Sequence, residues 1–83
     1  MKDLETMSTS EFLQEVWTKA EEMNRLTPRF KRIYEKAKEQ MLAAETRGEN
    51  PLEWGGDAVD AMEVFLENPE TDDITLYLLA TIP

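Results

Sequence analysis

The sequence predicts an all-α fold: a compact four-helix domain in which two longer helices form a hairpin and two shorter helices pack across it. Three observations predict it. Capping signals recur at Ser8, Thr27 and Asn50, the last two followed directly by proline. Apolar residues follow these signals at three- and four-residue steps rather than in alternation. The one run with strand character, residues 74–82, has no second strand to pair with. The expected helices cover about 9–26, 28–47, 57–67 and 70–81, with residues 1–7 as a flexible arm ahead of a single helical domain, 8–83.

The first helix is signalled by Ser8-Thr9-Ser10-Glu11, a capping box in which the serine oxygen accepts from the amide three residues on. Phe12, Leu13, Val16, Trp17, Ala20 and Met23 then share one side, which a short chain needs for its core. Thr27-Pro28 closes that helix and opens the second, because a residue before proline avoids the helical region while proline suits a first helical position. Phe30, Ile33, Tyr34, Ala37, Met41 and Ala44 form the second stripe, and Gly48 is suited to the left-handed terminator. Asn50-Pro51-Leu52-Glu53 starts another turn. The pair Gly55-Gly56 then breaks it, with Asp57 expected to cap the continuation and Ala58, Ala61, Met62, Phe65 and Leu66 facing inward. In the last segment Glu70, Asp72 and Asp73 suit a first helical turn, with Ile74, Leu78 and Leu79 closing the core. The alternative for this segment is a strand that pairs across a dimer or with a partner's sheet edge.

Composition narrows the function classes. The chain has 83 residues, enough for one small core, and 41% of them are hydrophobic. It contains neither Cys nor His, which removes disulfides, thiolate chemistry and the commonest general base and metal ligand. No apolar run reaches membrane-spanning length and the first residues do not read as an export signal, so a cytoplasmic location is expected, without membrane association. The net charge of -9 opposes direct binding to nucleic acid or anionic membranes.

That charge is unevenly placed. Every Lys and Arg lies at or before Arg47, where acids and bases cancel, so residues 48–83 carry the whole imbalance. Asp57, Asp60, Glu63 and Glu67 recur at helical spacing opposite the apolar stripe, and Glu53 joins them if the glycines leave the helix intact. Like charges at these spacings destabilise an isolated helix by a few tenths of a kcal/mol per pair. Compensation can come from the Arg29, Arg32 and Lys36 flank of the second helix, from a basic partner or from divalent cations; the bland reading is a solvated face. The carboxylates rise about 5 Å per step along the axis, of the order of the ~3.4 Å per nucleotide of a nucleic-acid strand.

Metal and catalytic readings are weaker. Asp57, Asp60, Asp72 and Asp73 lack the D-x-[DN]-x-[DN]-G spacing of a calcium loop. Glu70-x-x-Asp73 resembles half of the acidic motif by which all-helical nucleotide pyrophosphatases hold magnesium, but the upstream E-x-x-E is missing and Pro69 adjoins it. Neither a catalytic residue, a metal site nor a cofactor is expected, and the chain reads as a non-enzyme. In size, acidity and lack of Cys it resembles, as a broad class and without a shared motif, the small inhibitors that bacteriophages direct at host nucleic-acid-binding machinery, including anti-restriction proteins, anti-CRISPR proteins and transcription inhibitors. The resemblance implies a DNA mimic acting in a host cytoplasm on a basic surface of a nucleic-acid-handling protein. The expected contact residues are Glu53, Trp54, Asp57, Asp60, Glu63, Glu67, Asp72 and Asp73, with Trp54 as the apolar anchor. The alternative is a structural adaptor that forms a homodimer or larger helical oligomer through Tyr77, Leu78, Leu79 and Ile82.

Overall fold

In the computed structural model, which describes residues 8–81, five helices follow one another: α1 (Thr9–Glu22), α2 (Pro28–Thr46), α3 (Pro51–Trp54), α4 (Asp57–Glu67) and α5 (Asp73–Thr81). The four expected helices form, α3 is the single turn that Asn50 opens, and no strand occurs among the described residues. The segment 73–81 is therefore helical rather than a pairing strand. The expected arm, residues 1–7, and Ile82 lie outside the described residues.

Local chemistry sets most boundaries. Ser8 Oγ accepts from the Glu11 amide at 3.2 Å, Thr27 Oγ1 from the Phe30 amide at 3.1 Å, and Asn50 Oδ1 from the Leu52 amide at 3.1 Å. The long helices end alike. After α2, Gly48 is left-handed at φ 78, its amide donates to the Glu45 carbonyl, and the Glu49 amide donates to the Ala44 carbonyl. After α1, Asn24 takes the left-handed place at φ 55, with the Arg25 amide donating to the Ala20 carbonyl at 2.8 Å. This Asn24 terminator ends α1 at Glu22, short of the expected Leu26, and leaves Met23 40% exposed.

The α4 cap differs from expectation. Asp57 is the first helical residue rather than the cap: Gly56 holds the cap position at φ 96, and the acceptor for the Ala58 amide is Gln40 Oε1 of α2, at 3.1 Å. A side chain distant in sequence thus closes the helix start that carries the acids. Gly55 is buried against Val59, and a Cβ on it would stand 2.6 Å from Val59 Cγ2. Its missing side chain is the space that Val59, fully buried, fills.

One core joins the elements. Phe12, Val16 and Ala20 of α1 meet Phe30, Ile33, Ala37 and Met41 of α2, Ala58, Val59, Ala61, Met62 and Phe65 of α4, and Leu76 and Ala80 of α5. Phe30 and Phe65 pack edge to face with centroids 4.9 Å apart, and the half-buried Trp17 meets Tyr34 in the same way at 5.2 Å. Helix α2 touches each of the other four. The molecule measures 33 × 31 × 17 Å, the thickness of two helix layers, so α4 and α5 lie beside each other across α2 with their outer faces in solvent.

The rotation of α5 reverses the expected burial. Ile74, Leu78 and Leu79 are 61%, 47% and 41% exposed, while Leu76 and Ala80 are buried. Asp73 supplies the physical reason. Its Oδ1 pairs with the Arg25 guanidinium at 3.1 Å and its Oδ2 accepts from Thr27 Oγ1 at 2.7 Å. At 100° per residue, positions 73, 76 and 80 share a face, so tethering Asp73 inward turns Leu76 and Ala80 inward too. The helix also starts later than the expected residue 70. Arg25 donates to the carbonyls of Pro69 and Thr71, which holds residues 68–71 as a turn, and Asp72 becomes the cap through its Oδ1, which accepts from the Thr75 amide at 2.7 Å.

Candidate functional site

The acidic face is built on α4. Around the helix Asp57, Asp60, Glu63 and Glu67 fall within an arc of about 120°, opposite Ala58, Met62 and Phe65, and span about 15 Å along the axis. Asp57, Asp60 and Glu67 are exposed; Glu63, at the edge of the arc nearest the core, is half-buried. Glu53 and Trp54 stand apart on α3, beyond the Gly55-Gly56 break, and Trp54 is 62% exposed. Past Glu67 the exposed Glu70 and Asp72 continue the negative charge to the start of α5. Asp73 does not belong to this surface: its carboxylate faces Arg25 and Thr27.

Two acids of the C-terminal half are thus held by cations of their own chain, Asp73 by Arg25 and Glu49 by Arg47 at 3.0 Å. Arg29 lies over the Tyr77 ring at 5.9 Å, and Arg32 and Lys36 are exposed. Among the described residues, no cation lies within 4 Å of Asp57, Asp60 or Glu67.

The electrostatics of two of these carboxyls run in opposite directions. Desolvation, with the charge of Asp57 added, raises the Asp60 pKa above 3.8. The hydrogen bond from the Thr75 amide, followed by that from the Thr75 side chain, lowers the Asp72 pKa below 3.8. Asp72 therefore contributes stability that is present above its unfolded pKa and lost as pH falls through its lowered folded value. The Asp60 charge opposes folding at neutral pH, and that opposition disappears as pH falls from its raised folded value to the unfolded one. Replacing Asp60 by Asn is accordingly expected to stabilise the domain at pH 7 by a few tenths of a kcal/mol, the scale of one like-charge pair on a helix. Paired thermal melts at pH 7 and pH 3 check it. The Asn variant should melt higher at the first pH and lose that advantage at the second; an equal gain at both would rule out a charge effect.

Among the described residues no three acidic side chains converge to hold a metal ion. No described helix is long and apolar enough to cross a membrane.

The sequence pattern did not mark Arg25 and Gln40, the two side chains that position this surface. Arg25 fixes the α4–α5 connection and Gln40 caps α4. Asn24 carried the only local hint, since asparagine after a helix suits a left-handed stop, from which the next residue leaves the helix axis. The Gln40 contact crosses 18 positions and has no local signal. No family model matches the chain, and neither a curated protein nor a solved structure is similar to it.

Proposed function

We propose that this protein is a small non-enzymatic binding protein that inhibits or modulates a nucleic-acid-binding protein by occupying its basic surface. The observation that supports the reading is the exposed row of Asp57, Asp60 and Glu67, continued by Glu70 and Asp72, with no cation of the described residues within 4 Å of Asp57, Asp60 or Glu67. Carboxylates spread over about 15 Å of one helix face attract Lys and Arg clusters that otherwise hold a nucleic-acid backbone. Such a protein acts as a DNA mimic in the cytoplasm where its target works, a host cytoplasm if a phage encodes it.

The test is capture from a cell extract on the immobilised protein, with duplex DNA as competitor. Basic nucleic-acid-binding proteins should be retained at low salt, displaced by DNA, and lost from a variant with Asp57→Asn, Asp60→Asn and Glu67→Gln. Equal capture by that variant, or retention insensitive to both salt and DNA, would refute the reading. One observation favours a second reading, assembly through α5: Tyr77, Leu78 and Leu79 are exposed. Light scattering across a concentration range checks it, since Leu78→Asp should dissociate any oligomer formed that way.

A further inference from the structure

Helix α5 has two apolar sides and the fold uses one. Ile74, Tyr77, Leu78 and Leu79 are 61%, 44%, 47% and 41% exposed; Ile74 and Leu78 lie opposite the buried Leu76 and Ala80, with Tyr77 and Leu79 on the two flanks. With side chains of the order of 200 Å² each, they leave roughly 400 Å² of apolar surface, the size of the largest patch on an ordinary monomer, which is often functional. After Asp73 the helix carries no charge at all. Its near end is strongly charged: Glu67, Glu70 and Asp72, all exposed, lie at the α4–α5 junction among the seven residues that precede Ile74.

Charge and area decide what fits there. A second copy of the chain would bring another net charge of -9 against the same junction. It would also bury roughly 400 Å² per copy on this face, half of the ~800 Å² per partner of a standard interface. A segment that is apolar along α5 and cationic over the junction meets both features with complementary chemistry. Resting on the acidic-face reading above, we propose that the outer face of α5 docks a cationic amphipathic helix of the target protein: its apolar side lies on Ile74 and Leu78, and its Lys or Arg residues lie over Glu67, Glu70 and Asp72. The acidic row then supplies attraction, and α5 selects targets whose basic surface also offers an apolar stripe.

The probes are two synthetic peptides: one of Leu and Lys at helical spacing, and one of the same length and charge with Ser in place of Leu. Calorimetry should find the Leu/Lys peptide bound at least about tenfold more tightly. The variant Ile74→Ser with Leu78→Ser alters exposed positions only, and it should remove that preference while leaving Ser/Lys binding and the melting curve unchanged. A single Leu78→Gln variant, which adds no charge, should do the same. Equal affinity for the two peptides, or a preference that survives both variants, overturns the inference and leaves the acidic-face reading standing, provided the peptides bind with salt dependence. Concentration-dependent dimerisation that the serine variant abolishes also overturns it, in favour of a second copy. The acidic-face reading fails separately if Glu67→Gln with Glu70→Gln and Asp60→Asn leaves both peptide affinities unchanged at every salt concentration.

Discussion

Replacing Arg25 by Ala is expected to destabilise the domain by about 3 kcal/mol and to release α5 before the rest unfolds. The guanidinium makes four contacts that no other residue can replace. It donates to the carbonyls of Pro69 and Thr71, pairs with Asp73 at 3.1 Å, and lies over the Phe65 ring at 5.6 Å. Its removal takes a donor from two carbonyls and leaves the Asp73 carboxylate with Thr27 Oγ1 but no cation, in a partly enclosed place; the side chains of Arg25 and Asp73 are each 19% exposed. Losing charged hydrogen bonds of this kind costs about 1.5–3 kcal/mol apiece at most, discounted here for that partial exposure. The consequence falls on α5, because this cluster holds its start; what remains is its packing on α4 and α2 through Leu76 and Ala80, the Thr27–Asp73 bond and the Arg29–Tyr77 contact.

For a domain whose whole stability is roughly 4–12 kcal/mol, a loss of this size should lower the melting temperature by roughly 10–25 °C. Hydrogen exchange distinguishes a local from a global effect. Amides of α5 should lose protection first, while those of α2 should follow global stability. Arg25→Lys should recover less than half, since an ammonium cannot reach two carbonyls and a carboxylate at once. A melting temperature for Arg25→Ala within about 2 °C of the wild type would show that Arg25 does not hold the junction.

Arg25 also marks how far the sequence could be read. Boundaries set by local chemistry were legible: Ser8, Thr27, Asn50 and Gly48 each make their predicted cap or stop, and the stripes of α1, α2 and α4 are buried nearly as the spacing required. The inward face of α5 was not legible. Its nine residues are apolar nearly all round, so periodicity could not choose between Ile74, Leu78 and Leu79 on one side and Leu76 with Ala80 on the other. The choice is made by Asp73 and a residue 48 positions earlier. For the same reason Asp73 counted as surface charge in the sequence and is an internal partner in the fold. The acidic arc of α4 fared better, because its opposite side is an unambiguous core stripe; what the sequence could not decide was whether Arg29, Arg32 and Lys36 would fold back onto it.

Replacing Gly56 by Ala is expected to destabilise the domain by about 2–4 kcal/mol, clearly more than the same change at Gly48. Both glycines have positive φ, but their surroundings differ. Gly48, at φ 78, has open space where a Cβ would go, so alanine there meets only the ordinary left-handed penalty of about 1 kcal/mol. Gly56, at φ 96 and ψ -172, occupies a region that is essentially restricted to glycine and costs another residue about 1–3 kcal/mol. Its Cβ would also stand 2.9 Å from Cδ of Gln40, the side chain whose Oε1 caps α4 at the Ala58 amide. Alanine should therefore strain the backbone and displace the cap together, and a lost cap costs about 1 kcal/mol. A double-mutant cycle separates the two parts. In a Gln40→Ala background the cap is already gone and the space beside Gly56 is open, so Gly56→Ala should cost less than in the wild type by about that 1 kcal/mol. Denaturant melts of the four proteins and of Gly48→Ala supply the numbers. Equal costs at Gly48 and Gly56, or strict additivity with Gln40→Ala, would mean that Gln40 does not set the start of α4, and with it the direction in which Asp57 and Asp60 face.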